Sequence, residues 1–290
     1  LAIGDGANDV NMITAAHIGI GIRGLEGQQA ARAADYSISQ FRFLKNLLFI
    51  HGREAYRRNS YAICYMFYKN ILETVPIFMF GIFSLFSSTM IYNGILYMSF
   101  NLFFTALPII WFSTMDYEYT KEMLLRRPRL YNIGLENIYF NKFVFWRWMF
   151  YAFWQGTLIL VLSLYAIDYR SSPNGHGKFG GLFTSGELVF GCLVIVSNVK
   201  VLISSFRIGF WLLFLVIGST LFYVLCYLII STTIKASAEF GTLRILLTFS
   251  QTYFTLFMVS CMFVLTDTGL QYINVYITNW YLASKEQALL

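Results

Sequence analysis

Long apolar stretches dominate the chain beyond about residue 60. Each of six stretches is close to the ~20 residues that a helix needs to cross the hydrocarbon core of a bilayer. Aromatic residues lie near the ends of several of them, as is common at membrane interfaces. The pattern predicts a mainly α, polytopic protein with six transmembrane helices, at about residues 61–88, 94–115, 143–167, 188–206, 209–231 and 245–266.

Residues 1–58 follow a different, more polar pattern. Short apolar runs predict a strand at residues 1–3, a helix from Val10, a second strand at Ile18–Ile22 and a helix from Gln28. Alternating short strands and helices are typical of an α/β domain. Because the chain begins with Leu1 in the middle of a predicted strand, we expect it to be part of a longer protein. From Phe43 the pattern becomes helical and basic, which predicts a linker helix that enters the first span.

The composition agrees with a membrane protein. Of the 290 residues, 57% are hydrophobic and 12% are charged, and the mean hydropathy is +0.59, whereas about a quarter of the residues in soluble domains are charged. The four cysteines fall in predicted spans without paired spacing, so we expect them to pack as small apolar side chains. No nucleic-acid partner is expected.

The basic residues predict the orientation in the membrane. Lysine and arginine are concentrated in residues 1–58 and 116–142, whereas the turn at 89–93 contains neither. Cytoplasmic loops carry the excess of basic residues in membrane proteins. We therefore expect a multi-pass integral membrane protein with both ends of this chain in the cytoplasm and with residues 268–290 as a cytoplasmic tail.

Two carboxylates and an amide follow the first predicted strand. They belong to the hexapeptide Gly4-Asp5-Gly6-Ala7-Asn8-Asp9, at the strand end where α/β proteins place their chemistry. Asp5 and Asp9 offer oxygen ligands suited to Mg2+, and Asn8 can donate to a phosphate oxygen. The alternative is a Gly-rich acidic surface turn that binds no ligand.

The first span contains an ionisable pair. Lys69 and Glu73 are four residues apart and share a helix face, and Asn70 lies beside them. At ~1.5 Å per residue, Lys69 lies about 12 Å along the helix from Tyr61. Ionisable residues at such depth are costly and mark functional sites by default.

A proline follows in each of the first two spans. Pro76 cannot donate to the carbonyl of Leu72, and Pro108 cannot donate to that of Phe104. We expect each helix to kink and to leave a backbone acceptor free.

The second span contains Asn101 and Thr105, also four residues apart. Two kinked helices with facing polar stripes predict a route for a polar group across the membrane. The alternative is that Lys69 and Glu73 neutralise each other and that Asn101 only joins the helices.

The distribution of carboxylates favours a lipid over a metal cation as cargo. Membrane sites for cations need several carboxylates in place of the hydration shell, and Glu73 is the only one that we predict inside a span. A lone lysine near a lone glutamate suits an anionic or zwitterionic headgroup better. The other carboxylates are predicted at span ends: Asp116, Asp168, Glu187 and Asp267.

The hexapeptide Gly4–Asp9 resembles the Gly-Asp-Gly-x-Asn-Asp hinge motif of P-type ATPases. Further segments resemble the type IV branch, the phospholipid flippases. These are residues 16–22, 26–30, 35–36, 40–42 and 51–53, the tripeptide Tyr68-Lys69-Asn70, and Asn101 with residues 103–108.

The resemblance implies a fold in two parts. Residues 1–58 would be the C-terminal part of a HAD-like α/β phosphorylation domain with the linker helix. Residues 59–267 would be the last six transmembrane helices, and 268–290 the cytoplasmic tail. The parent enzyme would move phospholipid from the exoplasmic to the cytoplasmic leaflet through an aspartyl phosphate, with ATP and Mg2+. An Asp-Lys-Thr-Gly phosphorylation motif is absent from the sequence, so this chain alone is not expected to be active.

The resemblance also implies roles for single residues. Asp5 and Asp9 would ligate Mg2+ at the catalytic loop, where Asn8 would contact the phosphoryl group and Asp9 would orient the loop. Four residues would bind the lipid headgroup: Lys69, Asn70, Asn101 and Thr105.

The resemblance further implies a glycosylated two-span accessory beta-subunit as a partner. The membrane, either the plasma membrane or an endomembrane of the Golgi, endosome or ER, stays undecided. A P-type cation or polyamine pump, or a non-catalytic membrane protein that retains the hinge motif, remains an alternative.

Overall fold

The computed structural model describes residues 1–23, 28–167, 181–233, 235 and 239–288. The chain divides into two compact units. The first consists of Leu1–Asn59 and Tyr117–Tyr139, and the second of Ser60–Asp116 and Phe140–Leu290.

The α-helices in chain order are α1 Val10–Ala15, α2 Gln29–Ala33, α3 Leu44–Asn46, α4 Arg53–Phe83, α5 Gly94–Ser99, α6 Ala106–Met115, α7 Lys121–Arg126, α8 Asn132–Leu135, α9 Lys142–Ala166, α10 Leu182–Ser204, α11 Phe210–Thr233, α12 Thr242–Thr248 and α13 Ser250–Ala288.

The first unit opens on a small parallel sheet. Its strands β1 Ala2–Gly4, β2 Gly19–Ile22 and β3 Tyr36–Ile38 are hydrogen-bonded in that order. A short 3-10 turn, Ala7–Asp9, and α1 connect the first two strands. Because the three strands are parallel, their carboxyl ends meet at the same edge of the sheet. The turn that follows β1 lies at this edge. Ile20 of β2 is 1% exposed and anchors the sheet to its helices.

A buried ionic network holds the rest of the first unit together. The Arg53 guanidinium donates to Glu54 at 2.5 Å and to Glu118 at 2.6 Å, and Arg57 pairs with Glu54 at 3.0 Å. All of these groups except Glu118 are almost completely buried. The network joins the first turn of α4 to the segment that contains α7 and α8.

In the part of the chain that the structure describes, six helical segments are long and apolar enough to cross a membrane, which confirms the predicted polytopic, mainly α-helical architecture. They are Phe41–Phe83, Gly94–Met115, Lys142–Ala166, Leu182–Ser204, Phe210–Thr233 and Ser250–Ile273.

Several helix limits in the structure differ from the predicted span limits. The first helix ends at Phe83 and not at residue 88 because Leu85, Phe86 and Ser88 have positive φ angles of 52°, 55° and 59°. The fourth begins at Leu182, six residues before the predicted limit. Extended backbone at Phe249 separates α12 from α13, so the last span begins at residue 250.

The end of the chain also differs from the prediction. Helix α13 continues beyond the predicted limit at residue 266 and ends at Ala288. No proline interrupts residues 250–288, so the intrahelical hydrogen bonds continue. Most of the segment predicted as a tail is therefore helical.

The second span is interrupted. Helix α5 passes into a π-helical turn, Phe100–Phe104, and Thr105 leaves helical geometry with φ −132° and ψ −2° before α6 begins. Pro108 lies in the first turn of α6, where a missing amide hydrogen costs little. Where a kink at Pro108 was predicted, the helix is instead interrupted at Thr105, three residues before the proline. Helix α4, in contrast, continues without interruption past Pro76.

Helix α10 forms the centre of the second unit. Most of its residues are buried from Thr184 to Val201. Phe190 packs against the rings of Phe100 and Tyr223 at centroid distances of 5.7 and 5.6 Å. A central helix that is buried on all sides explains why its sequence is apolar without an amphipathic period.

Candidate functional site

The hexapeptide after β1 forms a closed loop. Oδ2 of Asp9 accepts hydrogen bonds from the backbone nitrogens of Asp5 at 3.0 Å and Gly6 at 3.2 Å. A Cβ atom on Gly4 would lie 2.3 Å from the Cβ of Asp9, so only glycine fits beneath this carboxylate. Asp9 therefore fixes the shape of the loop.

The Asp5 and Asn8 side chains are exposed at this carboxyl edge of the sheet. Oxygen atoms of Asp5 and the second oxygen of Asp9 have the right chemistry for Mg2+, which is often held by one or two carboxylates together with waters and substrate phosphates. Among the described residues, no group of three or more acidic, histidine or cysteine side chains could hold a metal ion. The loop fits Mg2+ as a partial ligand set.

Lys69 lies buried between α4 and the interrupted second span. Its side chain is 1% exposed. Nζ donates to Oγ1 of Thr105 at 3.1 Å and to the backbone carbonyl of Asn101 at 3.4 Å. Thr105 Oγ1 in turn donates to the carbonyl of Phe100 at 2.8 Å. The break in the second span thus places neutral oxygen acceptors around a buried ammonium group.

Glu73 lies one helical turn further along α4 and is 3% exposed. Its Oε2 accepts from Nδ2 of Asn101 at 3.1 Å, whereas its Oε1 is buried and has no hydrogen-bond partner among the described residues. Within that part of the chain, Lys69 and Glu73 form no direct ion pair. Each charge is instead bonded to the second span.

The predicted site residues are thus only partly brought together. Lys69 meets Thr105 and Asn101, but the Asn70 side chain is on the exposed face of α4. Consecutive helix residues point about 100° apart, so Asn70 does not share the Lys69 face. The roles of all four residues in headgroup binding stay predictions.

Comparison with known proteins decides the family. Residues 31–279 match the family described as phospholipid-translocating P-type ATPase C-terminal. This chain belongs to that family. The predicted resemblance to type IV P-type ATPases is confirmed, although the match begins after the hinge loop, whose residues it leaves untested.

The chain is similar to three named proteins over only part of their length. The probable phospholipid-transporting ATPase 5 of Arabidopsis thaliana is 37% identical over 231 residues, which cover 76% of this chain and 19% of that protein. Phospholipid-transporting ATPase DRS2 of Saccharomyces cerevisiae is 36% identical over 227 residues, 78% of this chain and 17% of that protein. Phospholipid-transporting ATPase 11C of Mus musculus is 39% identical over 225 residues, 77% of this chain and 20% of that protein. The matched region thus spans about a fifth of the length of these relatives.

An asparagine that was not predicted as functional joins two helices of this P-type ATPase domain. Nδ2 of Asn198, from α10, donates to the carbonyl of Phe104 at 3.0 Å. This is the acceptor that Pro108 was predicted to free. An asparagine inside an apolar span was the available signal, since such residues commonly bond across helices.

The structure places two carboxylates that were predicted at span ends inside longer helices. Glu187 is 2% exposed and Asp267 6%, because α10 begins earlier than predicted and α13 ends later. Lys200, also in α10, is 7% exposed. Asp168 lies outside the described residues.

Proposed function

We propose that this chain is the C-terminal part of an ATP-driven phospholipid flippase, which moves phospholipid from the exoplasmic to the cytoplasmic leaflet through an aspartyl-phosphate cycle. The observation that carries the proposal is the buried Lys69 ammonium, held by oxygens of Thr105 and Asn101 at an interrupted membrane helix. The printed names of the relatives, which are phospholipid-transporting ATPases, support it.

The charges at this position suit a lipid headgroup. A buried ammonium whose partners are neutral retains its attraction for an anionic phosphate or carboxylate. The unpartnered Oε1 of Glu73, close by on the same helix, can accept from a headgroup amine. A site for a metal cation needs several carboxylates. Among the described residues, the hydrogen bonds around Lys69 and Asn101 include one carboxylate, that of Glu73. Lys69, Asn101 and Thr105 would contact the headgroup, while Asn70 would join them only if α4 rotated.

The hinge loop would serve the phosphoryl chemistry. Asp5 and Asp9 would hold Mg2+, which neutralises charge on the transferred phosphoryl group when it is bound. Asn8 would donate to that group, and Asp9 would also keep the loop closed through its bonds to Asp5 and Gly6. Residues 1–58 would then be the end of a HAD-like phosphorylation domain, and ATP would bind mostly to domains outside this chain.

The remaining assignments concern topology and partners. Residues 59–267 would form the six-helix membrane half, with residues 1–58 and the 268–290 segment in the cytoplasm, as the basic residues favour. A glycosylated two-span beta-subunit would pack against this half, which exposes many aromatic side chains. The membrane would be the plasma membrane or an endomembrane.

The ATPase activity of the full-length protein that contains this chain tests the proposal. The purified protein is assayed in detergent against a panel of phospholipids, and then against metal cations and polyamines. We expect stimulation by one headgroup class, weakened in Lys69→Ala and retained in Thr74→Val, a control at an exposed position of the same helix, with phosphoenzyme formation from ATP largely intact. Stimulation only by a cation or polyamine would replace the flippase with a pump for that cargo. Absence of phosphoenzyme would indicate a non-catalytic protein.

A further inference from the structure

A second buried polar network lies inside the second unit and shares no hydrogen bond with the Lys69 acceptors. Nζ of Lys200 on α10 donates to Oδ1 of Asp267 on α13 at 2.8 Å. Nε2 of Gln155 on α9 donates to the same oxygen at 3.3 Å. The hydroxyl of Tyr68 on α4 donates to Oε1 of Gln155. Four helices therefore meet in one chain of hydrogen bonds.

The Lys200 ammonium also contacts Tyr68, so the interactions among these four side chains form a closed circuit. It lies over the aromatic ring of Tyr68, 4.5 Å from the centroid, and over that of Trp148 at 5.2 Å. A desolvated ammonium is attracted to the face of an aromatic ring. Tyr68 is thus held twice, by its hydroxyl through Gln155 and by its ring through Lys200.

A stripe of tyrosines extends this attachment along α4. The Tyr61 hydroxyl donates to the carbonyl of Lys200 at 3.3 Å, and the Tyr65 hydroxyl donates to the carbonyl of Ser197 at 3.0 Å. Together with Tyr68 these residues follow the spacing of one helix face. The stripe fixes the rotation of α4 against α10.

On α9, Gly156 packs closely against the same region of α4. A Cβ atom there would lie 3.2 Å from the carbonyl oxygen of Leu72. This close approach leaves α4 little room to rotate or shift past α9.

Lys69 follows Tyr68 directly in the sequence, so the direction of its side chain is set by the rotation of the same helix turn. We propose that Lys200 and Asp267 are positioning residues for Lys69. By holding Tyr68, they keep α4 in the rotation at which the Lys69 ammonium reaches Thr105 and Asn101. The inference rests on the proposed function, since it assigns these residues a role in headgroup binding without contact with the headgroup.

The phospholipid concentration that gives half-maximal ATPase stimulation of the full-length protein is the informative quantity. We expect Asp267→Asn, which removes the charge and keeps the shape, to raise this concentration by about fivefold. A purely structural role would lower the yield of folded protein and the maximal rate but leave the half-stimulating phospholipid concentration unchanged. Asp116→Asn is the matched control, because it makes the same change in another buried carboxylate, which accepts from Ser205 and from backbone nitrogens after α10.

A double-mutant cycle tests whether Asp267 acts through Lys69. In the Lys69→Ala background we expect Asp267→Asn to have no further effect on the half-stimulating concentration. Equal effects in both backgrounds would overturn the positioning role and leave the proposed function intact. A Lys69→Ala protein with normal lipid stimulation would instead contradict the proposed function, and with it this inference.

A variant without either charge covers the case in which the single variants do not fold. Replacing a buried ion pair by apolar residues of similar volume is often tolerated, so Lys200→Met with Asp267→Leu should fold. It lacks the ammonium over Tyr68, so we expect the half-stimulating concentration to stay raised. A value equal to that of the unmodified protein would overturn the inference.

Discussion

The Thr105 hydroxyl provides the sharpest test of the Lys69 environment. Thr105→Val keeps the shape of the side chain but removes two hydrogen bonds, the one accepted from Lys69 Nζ at 3.1 Å and the one donated to Phe100 at 2.8 Å. Hydrogen bonds to charged groups contribute about 1.5–3 kcal/mol and neutral ones about 0.5–1.5 kcal/mol. We therefore expect a loss of about 2–4.5 kcal/mol in the free energy of unfolding.

Denaturant unfolding of the purified full-length protein in detergent measures this loss, with Thr74→Val as the matched control. Thr74 is exposed, and its hydroxyl donates to the carbonyl of Asn70 within α4 at 2.8 Å, so its replacement should change stability by less than about 0.5 kcal/mol. Thr105→Ser, which retains the hydroxyl, should recover most of the stability. A Thr105→Val protein as stable as the Thr74→Val protein would refute the bonding assigned to Lys69.

Three further changes have expected outcomes. Gly4→Ala would bring a Cβ within 2.3 Å of the Asp9 Cβ, so we expect phosphoenzyme formation from labelled ATP to fall by about tenfold or more; normal labelling would argue against a closed loop. Asn198→Leu leaves the Phe104 carbonyl without this donor and should cost about 1–3 kcal/mol in thermal stability, and an unchanged stability would contradict the interhelical bond. Asp267→Leu leaves a buried ammonium unpaired and should cost about 3–5 kcal/mol, measured by denaturant unfolding, whereas a cost near zero would indicate that the pair is solvated.

The local features of this domain could be predicted from the sequence. Apolar runs gave the six spans, since membrane helices satisfy their backbone internally and need only length and hydrophobicity. The hexapeptide Gly4–Asp9 is likewise contiguous, so its composition alone indicated a loop. The span limits were less accurate because they depend on packing, as at Leu85 and Phe86, where positive φ angles end α4.

Contacts between distant helices could not be predicted. Lys200 and Asp267 are 67 residues apart, and nothing in one sequence shows that α10 and α13 lie side by side. The bond from Asn198 to Phe104 depends in the same way on helix packing. Asn70 illustrates the same dependence, since it is adjacent to Lys69 in the sequence while its side chain lies on the exposed face of α4.

Transport of a fluorescent phospholipid tests the central claim most directly. The full-length protein is reconstituted in liposomes with ATP, and the leaflet that holds the labelled lipid is determined by quenching. We expect ATP-dependent movement toward the leaflet on the cytoplasmic side, strongly reduced in Lys69→Ala and retained in Thr74→Val, whose side chain lies on the exposed face of α4. Equal transport by Lys69→Ala and the unmodified protein would contradict the account.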